Sequence, residues 1–249
     1  MKPTRARLLL LALPLALGLS ACGKKDEVGV GAESAAPIAK IAPPAGKAWT
    51  DMISATPDGG YLMGNPQAPL KLIEFGALSC SHCAAFSKEG FPKLKDEYVA
   101  SGRVSYELRL FMLNALDVPA ALLATCGSPE AVIPLSEQFW DWQPNMFTNL
   151  QKDEARFKAL AEQPPAQRFA GIAQLGGMTD FFAARGIAAD QGAKCLSDTA
   201  KATELANRTD KATKDFNVTG TPTFILNGKN LEVASWQELE PLLQKAGAR

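Results

Sequence analysis

The stretch Phe75-Gly76-Ala77-Leu78-Ser79-Cys80-Ser81-His82-Cys83-Ala84-Ala85-Phe86 sets two cysteines between an apolar run and a helical pattern. The run from Leu70 to Phe75 predicts a buried strand, and Phe86, Phe91 and Leu94 predict one face of the helix that follows. Cys80 then stands at the helix N-terminus, where unpaired backbone amides and the positive end of the macrodipole favour a thiolate over a thiol. His82, protonated or donating a hydrogen bond, adds to this. In such Cys-X-X-Cys settings the thiol pKa falls from about 8.5 into the range of roughly 3.5 to 7.5. A disulfide whose reduced form is stabilised in this way gives up its oxidising equivalents readily, with Cys80 as the leaving thiolate. The motif therefore predicts an oxidant. The alternatives are a structural disulfide and half of a zinc site. His82 lies between the two cysteines, a poor position from which to close a tetrahedral site with both, and the chain has no second Cys-X-X-Cys.

Immediately upstream, Gly64-Asn65-Pro66-Gln67-Ala68-Pro69 is a turn cluster, and Tyr61 to Met63 reads as an edge strand. Within the apolar run, Glu74 precedes Cys80 by six residues. It is either a buried carboxyl that takes and returns the proton of Cys83, its pKa raised by desolvation, or a residue at a solvated strand end. Downstream, the helix reads over 83–100 and stops at Ser101-Gly102, and alternation over 104–112 predicts a second strand, completing a β-α-β unit.

Beyond Asn114 the pattern turns helical: 119–126, 130–142, 152–162, 165–175, 179–185 and 189 onward. This predicts an all-helical insertion over 115–207. Trp140, Trp142, Met146 and Phe147 read as its core, with a peptide-binding groove as the alternative. Cys126 and Cys195 fall inside it. They are either a structural bridge between two helices, which an exported domain permits, or buried free or resolving thiols. Further on, Gly220-Thr221-Pro222-Thr223-Phe224 puts a proline just before a strand, where a cis bond is cheap and the turn presents its backbone to an extended peptide. Strand 224–226, the Asn227-Gly228 turn and a partner strand over 231–234 follow, and Ser235 caps the last helix, 236–246.

The N-terminus carries Lys2, Arg5 and Arg7, then an apolar run over 8–19: a secretory signal, too short to span a membrane. Its end, Leu19-Ser20-Ala21-Cys22, resembles a bacterial lipobox, which implies cleavage after residue 21 and lipidation of Cys22. Gly23 stands where an aspartate would signal inner-membrane retention, which favours the outer membrane. Residues 22–57, rich in Ala, Gly, Pro and Lys, read as a flexible tether, with Trp49 to Ile53 as a short docking turn at most. Losing residues 1–21 leaves 23 bases against 26 acids, a formal charge of minus 3, and nothing in this balance argues for nucleic acid.

The strand into Cys80-Ser81-His82-Cys83, the long helical insertion and the Thr221-Pro222 turn, in that order, resemble the DsbA family of exported thiol:disulfide oxidoreductases over about residues 65–244. The resemblance implies an α/β class, a thioredoxin-like fold formed by 58–114 and 208–249 with the all-helical domain inserted. It implies Cys80 as nucleophile, Cys83 as resolving thiol, His82 as thiolate stabiliser, Pro222 as a cis proline facing the dithiol with Thr221 beside it, and Glu74 as the family's buried glutamate. It implies no cofactor, exported cysteine-containing polypeptides as substrates, and a membrane redox partner that recycles the dithiol. Two departures leave the direction of electron flow open. Ser81 stands where oxidases typically carry proline, and Thr221 where the best-known oxidases carry an aliphatic residue. The competing readings are an isomerase or reductant on the same scaffold, and a lipid-anchored envelope chaperone with a static Cys80/Cys83 bridge.

Overall fold

The computed structural model describes residues 34–249; the signal segment and Cys22 lie outside them. One mixed sheet organises these residues. Its strands are β1 (Ile53–Ala55), β2 (Tyr61–Gly64), β3 (Leu70–Gly76), β4 (Val104–Leu110), β5 (Thr223–Leu226) and β6 (Lys229–Asn230), in the order β1-β2-β4-β3-β5-β6. Only β3 and β4 pair in parallel, from Leu70↔Val104 to Gly76↔Leu110, as a β-α-β crossover requires. The crossover is α1 (Ser81–Glu89), a short α2 (Phe91–Lys93) and a wider helical turn, Leu94–Val99.

Between β4 and β5 come α3 (Asp117–Ala124), α4 (Pro129–Lys152), α5 (Glu154–Leu160), α6 (Pro165–Leu175), α7 (Met178–Ala183), α8 (Ala189–Ser197) and α9 (Thr199–Phe216). The chain closes with α10 (Trp236–Lys245). The strand period divides the sheet's contacts. Leu70, Leu72, Val104, Tyr106, Leu108 and Phe224 join the large core with α1, α4 and α10 residues, while Phe75, Ile225, Ala212 and Val218 form a smaller cluster with Phe216 of α9. Phe86 packs against Phe224 with ring centroids 4.7 Å apart and the rings tilted by 59°, fixing α1 to β5.

Several expectations change. The tether read over 22–57 is packed against the domain from residue 34 onward. The Ala35 and Ile38 amides donate to the Lys245 and Gly247 carbonyls, both at 2.9 Å, and the Ile41 amide donates to Ser101. Trp49 is buried and donates its indole N–H to the Ile41 carbonyl at 2.8 Å. Gly102, at φ +73°, makes room for this segment, since a Cβ there would lie 2.4 Å from the Ile41 oxygen. Tyr61 to Met63 is therefore not the edge; β1 is. Helix α4 continues through Pro134 and Pro144, ten residues past the expected end at 142. Helix α9 runs without a break through the expected boundary at 207/208. The partner of β5 is Lys229–Asn230, and 231–234 is not a strand. Ser235 occupies the N-cap position of α10, but its hydroxyl bonds to Glu238 and caps no backbone amide.

Candidate active site

Strand β3 ends at Gly76, and the chain turns through Ala77-Leu78-Ser79 before α1 begins. Cys80 is the N-cap of α1, and its sulfur accepts from the Cys83 amide at 3.4 Å. Both cysteines are free. Cys83, one turn into the helix, is fully buried, whereas Cys80 retains 6% exposure.

The Thr221-Pro222 peptide bond is cis and brings Thr221 onto the dithiol. As a thiol, Cys80 donates to the Thr221 carbonyl at 3.1 Å. The Thr221 hydroxyl is buried with no hydrogen-bond partner among the described residues, so it is free to donate once Cys80 ionises. The Cys83 thiol, the Thr221 hydroxyl and the backbone amides of Cys83 and His82 together pull the Cys80 pKa down to about 5, against the opposing effect of burial. Burial pushes the Cys83 thiol well above its ordinary value, and the neighbouring Cys80 and Glu74 push it the same way. His82 is exposed, and what it brings to the Cys80 sulfur is its backbone N–H.

Glu74 lies on the large-core face of β3 and is fully buried. Its Oε2 accepts from the Tyr106 hydroxyl at 2.7 Å, while Oε1 has no partner among the described residues. Burial is the main cause that pushes its pKa up to about 8, with the charges of Glu137 and Cys80 adding to it. Glu74 is therefore mostly protonated at neutral pH.

The inserted helices hold the loop before Cys80. Helix α4 supplies Trp140, whose indole N–H donates to the Ala77 carbonyl at 2.9 Å. It also supplies Gln143, whose amide donates to the carbonyls of Leu78 at 2.6 Å and Cys80 at 3.1 Å. Asp117, the first residue of α3, accepts from the Ser79 amide at 2.7 Å, the Ser79 hydroxyl at 3.0 Å and the amides of Leu113 and Asn114. Asn114 closes this network by donating to the Ser79 hydroxyl at 2.6 Å. Of the aromatic and Met cluster expected as insertion core, Trp140 and Met146 are buried while Trp142 and Phe147 are only partly so. Trp140 belongs to the seam with the sheet.

Cys80, Cys83, Thr221, Pro222 and Glu74 thus converge at one end of β3. Cys126, just after α3, is disulfide-bonded to Cys195 of α8. Reading along the chain did not single out Gln143, Trp140 or Asp117 as site residues. The Asn114/Asp117 spacing is a local turn signal, but the Gln143 and Trp140 bonds span 63 and 65 positions and leave no mark on the local sequence.

A family model described as Thioredoxin matches residues 56–245. This chain belongs to the thioredoxin family. Among solved structures of that fold, the protein-disulfide isomerase from Novosphingobium aromaticivorans is 34% identical, with a TM-score of 0.70 over 74% of this chain and 94% of that one. Wolbachia pipientis alpha-DsbA1 shares the fold at 19% identity and a TM-score of 0.58, over 78% and 93% of the two chains. A putative protein-disulfide oxidoreductase of Rickettsia bellii is 26% identical over 189 residues, or 76% of this chain; the chain spans 65% of that relative's length. Within the thioredoxin family, these relatives group the chain with the protein-disulfide oxidoreductases.

Proposed function

We propose that this chain accepts electrons from the cysteines of exported polypeptides through a mixed disulfide at Cys80, as a DsbA-like oxidase. The observation that carries this direction is the opposite setting of two neighbouring sulfurs: Cys80 sits at the N-cap of α1 with the Cys83 amide aimed at it, which favours its thiolate, and Cys83 is sealed from solvent, which favours its thiol. Whatever stabilises the reduced pair makes the disulfide a stronger oxidant.

The oxidised form carries a Cys80–Cys83 disulfide. A client thiolate attacks the Cys80 sulfur, because Cys83 is inaccessible, and the Cys80–Cys83 bond breaks. Cys83 leaves with the electron pair and takes the proton that Glu74 holds at neutral pH. A second client thiolate then attacks the client sulfur of the mixed disulfide, and Cys80 departs as its stabilised thiolate. The client has lost two electrons and gained a disulfide; the Cys80/Cys83 pair has gained the electrons. Pro222 and Thr221 offer backbone to the client strand beside Cys80, and the His82 backbone N–H supports the Cys80 thiolate. A membrane redox partner reoxidises the pair.

On this reading the protein is exported, tethered to the cell envelope through lipidated Cys22 and faces the periplasm, the outer membrane being favoured by Gly23. Among the described residues no helix is long and apolar enough to cross a membrane. A second reading, isomerase on the same scaffold, is favoured by Thr221 before the cis proline and by the name of the Novosphingobium relative.

Mixing the oxidised protein in stoichiometric amount with a reduced, denatured cysteine protein separates these. The oxidase transfers its disulfide, so client thiols disappear as Cys80 and Cys83 become reactive to alkylation. An isomerase is told apart by its reduced form, which restores a scrambled client catalytically. A static bridge does neither.

A further inference from the structure

The exchange just described uses one buried carboxyl, yet a second stands close by. Glu74 is sealed from solvent, so once it has given its proton to Cys83 it can become neutral again before reoxidation only through the protein. Tyr106 occupies Oε2. The open oxygen, Oε1, faces Gly76 and the ring of Trp140: a Cβ on Gly76 would stand 3.2 Å from Oε1 and 3.1 Å from Trp140 Cζ2. Trp140 lies on α4, and one turn before it on the same face is Glu137. Glu137 lines a cleft of about 720 Å³ between α1 and α4, accepts from the Ser87 hydroxyl at 2.6 Å through Oε2, and leaves a buried Oε1 without a partner among the described residues.

Resting on the oxidoreductase reading above, we propose that Glu137 is the outer member of a two-carboxyl proton path linking Cys83 through Glu74 to the cleft between α1 and α4. Glu74 gives its proton to the leaving Cys83 thiolate. Glu137 passes its own proton to the Glu74 carboxylate and is reprotonated from the cleft; reoxidation runs the same transfers in reverse. No electrons move along this path.

The acidities suit the task. Burial pushes Glu137 up to about 8, against the lowering effect of Ser87 and Lys95, so the two carboxyls are nearly matched near neutral pH, where a proton passes between them without a large uphill step. The other charged groups around the cleft are Lys88 and Glu89 of α1, Asp141 of α4 and Arg185 beyond α7, while Tyr106 and the two cysteines face Glu74 from the inner side. Tyr106 is itself pushed well above its ordinary value by burial, which excludes it as the carrier at neutral pH.

The test is stopped-flow reduction of the oxidised full protein by dithiothreitol, followed by tryptophan fluorescence from about pH 5 to 9 in H₂O and D₂O. Glu137→Gln is expected to slow the reaction about tenfold on the alkaline side of about pH 8, where Glu74 is partly ionised and is reloaded through Glu137, and to leave in place the solvent isotope effect of the Glu74-to-Cys83 transfer. Ser87→Ala removes the hydroxyl that holds Glu137 down, so it is expected to move the upper limb of the pH profile to higher pH. An unchanged rate and pH profile in Glu137→Gln overturns the proposal. Infrared titration of the Glu74 carboxyl band gives a readout that needs no turnover. Loss of the Glu137 charge should lower the pH at which Glu74 ionises, and an unmoved band also overturns the proposal. If the wild-type pair does not cycle with dithiothreitol at all, the oxidoreductase reading fails instead, and the infrared result decides the coupling alone.

Discussion

Cys80 and Cys83 lie one helical turn apart and unbonded, and both are buried, Cys83 completely. Cys126 and Cys195 lie 69 positions apart, are bonded, and are only half-buried. Burial alone therefore does not mark the reactive pair. The difference lies in what surrounds each sulfur. Around Cys80 the donors belong to a helix N-terminus, a neighbouring thiol and the Thr221 turn, all of which favour charge. Around Cys126 the neighbouring contact is structural: the Gln191 side chain donates to the Cys126 carbonyl at 2.9 Å, a second tie between the α3 end and α8. One pair is built to change state, the other to hold two helices.

Substitution breaks that comparison most sharply. Cys80→Ser should abolish disulfide transfer to a reduced client, whereas the double variant Cys126→Ser/Cys195→Ser should transfer normally and unfold more easily in urea, by about 2 to 4 kcal/mol. Next in size is Asp117→Ala. It strands the Ser79, Leu113 and Asn114 amides around a buried site and should cost about 2 to 3 kcal/mol by the same denaturation, with slower transfer because the loop before Cys80 loosens.

A pH signature separates the pairs without mutation. Folding lowers the Cys80 pKa from its ordinary value near 9 to about 5, so the reduced form gains stability that is full above about 9 and falls away as the pH drops through about 5. The melting-temperature advantage of the reduced over the oxidised form should therefore shrink by several degrees between about pH 9 and pH 5. In Cys80→Ser the reduced protein should lose that dependence. The smallest effect is expected from Gly76→Ala. Its methyl would meet Trp140 and Glu74 at 3.1 and 3.2 Å, a crowding worth about 1 to 2 kcal/mol in urea denaturation.

The part of the site that lies in one continuous stretch was legible. The apolar run of β3, the dithiol at the start of α1 and the turn before β5 follow from local periodicity and turn chemistry. Glu74 was ambiguous because strand alternation alone does not say which face of β3 is covered, and the cover comes from α4, more than 60 positions away. The tether reading failed for a related reason. Residues 34–57 have no period of their own and are ordered by one buried indole and by amides bonded to Ser101, Lys245 and Gly247. The expected end of α4 at Trp142 lies just before Pro144, yet the helix runs on because one missing N–H is outweighed by burial of Met146 and Leu150 beyond it. Gln143 was invisible for the same reason as Glu137: a polar residue in a helical pattern reads as solvated until the partner surface is known.

The claim that the surroundings of Cys80 make this pair an oxidant is tested most directly by its reduction potential, measured on protein lacking residues 1–22 and equilibrated against glutathione buffers. A value at or above about −150 mV is expected. A value near about −270 mV would contradict it and identify the pair as a reductant.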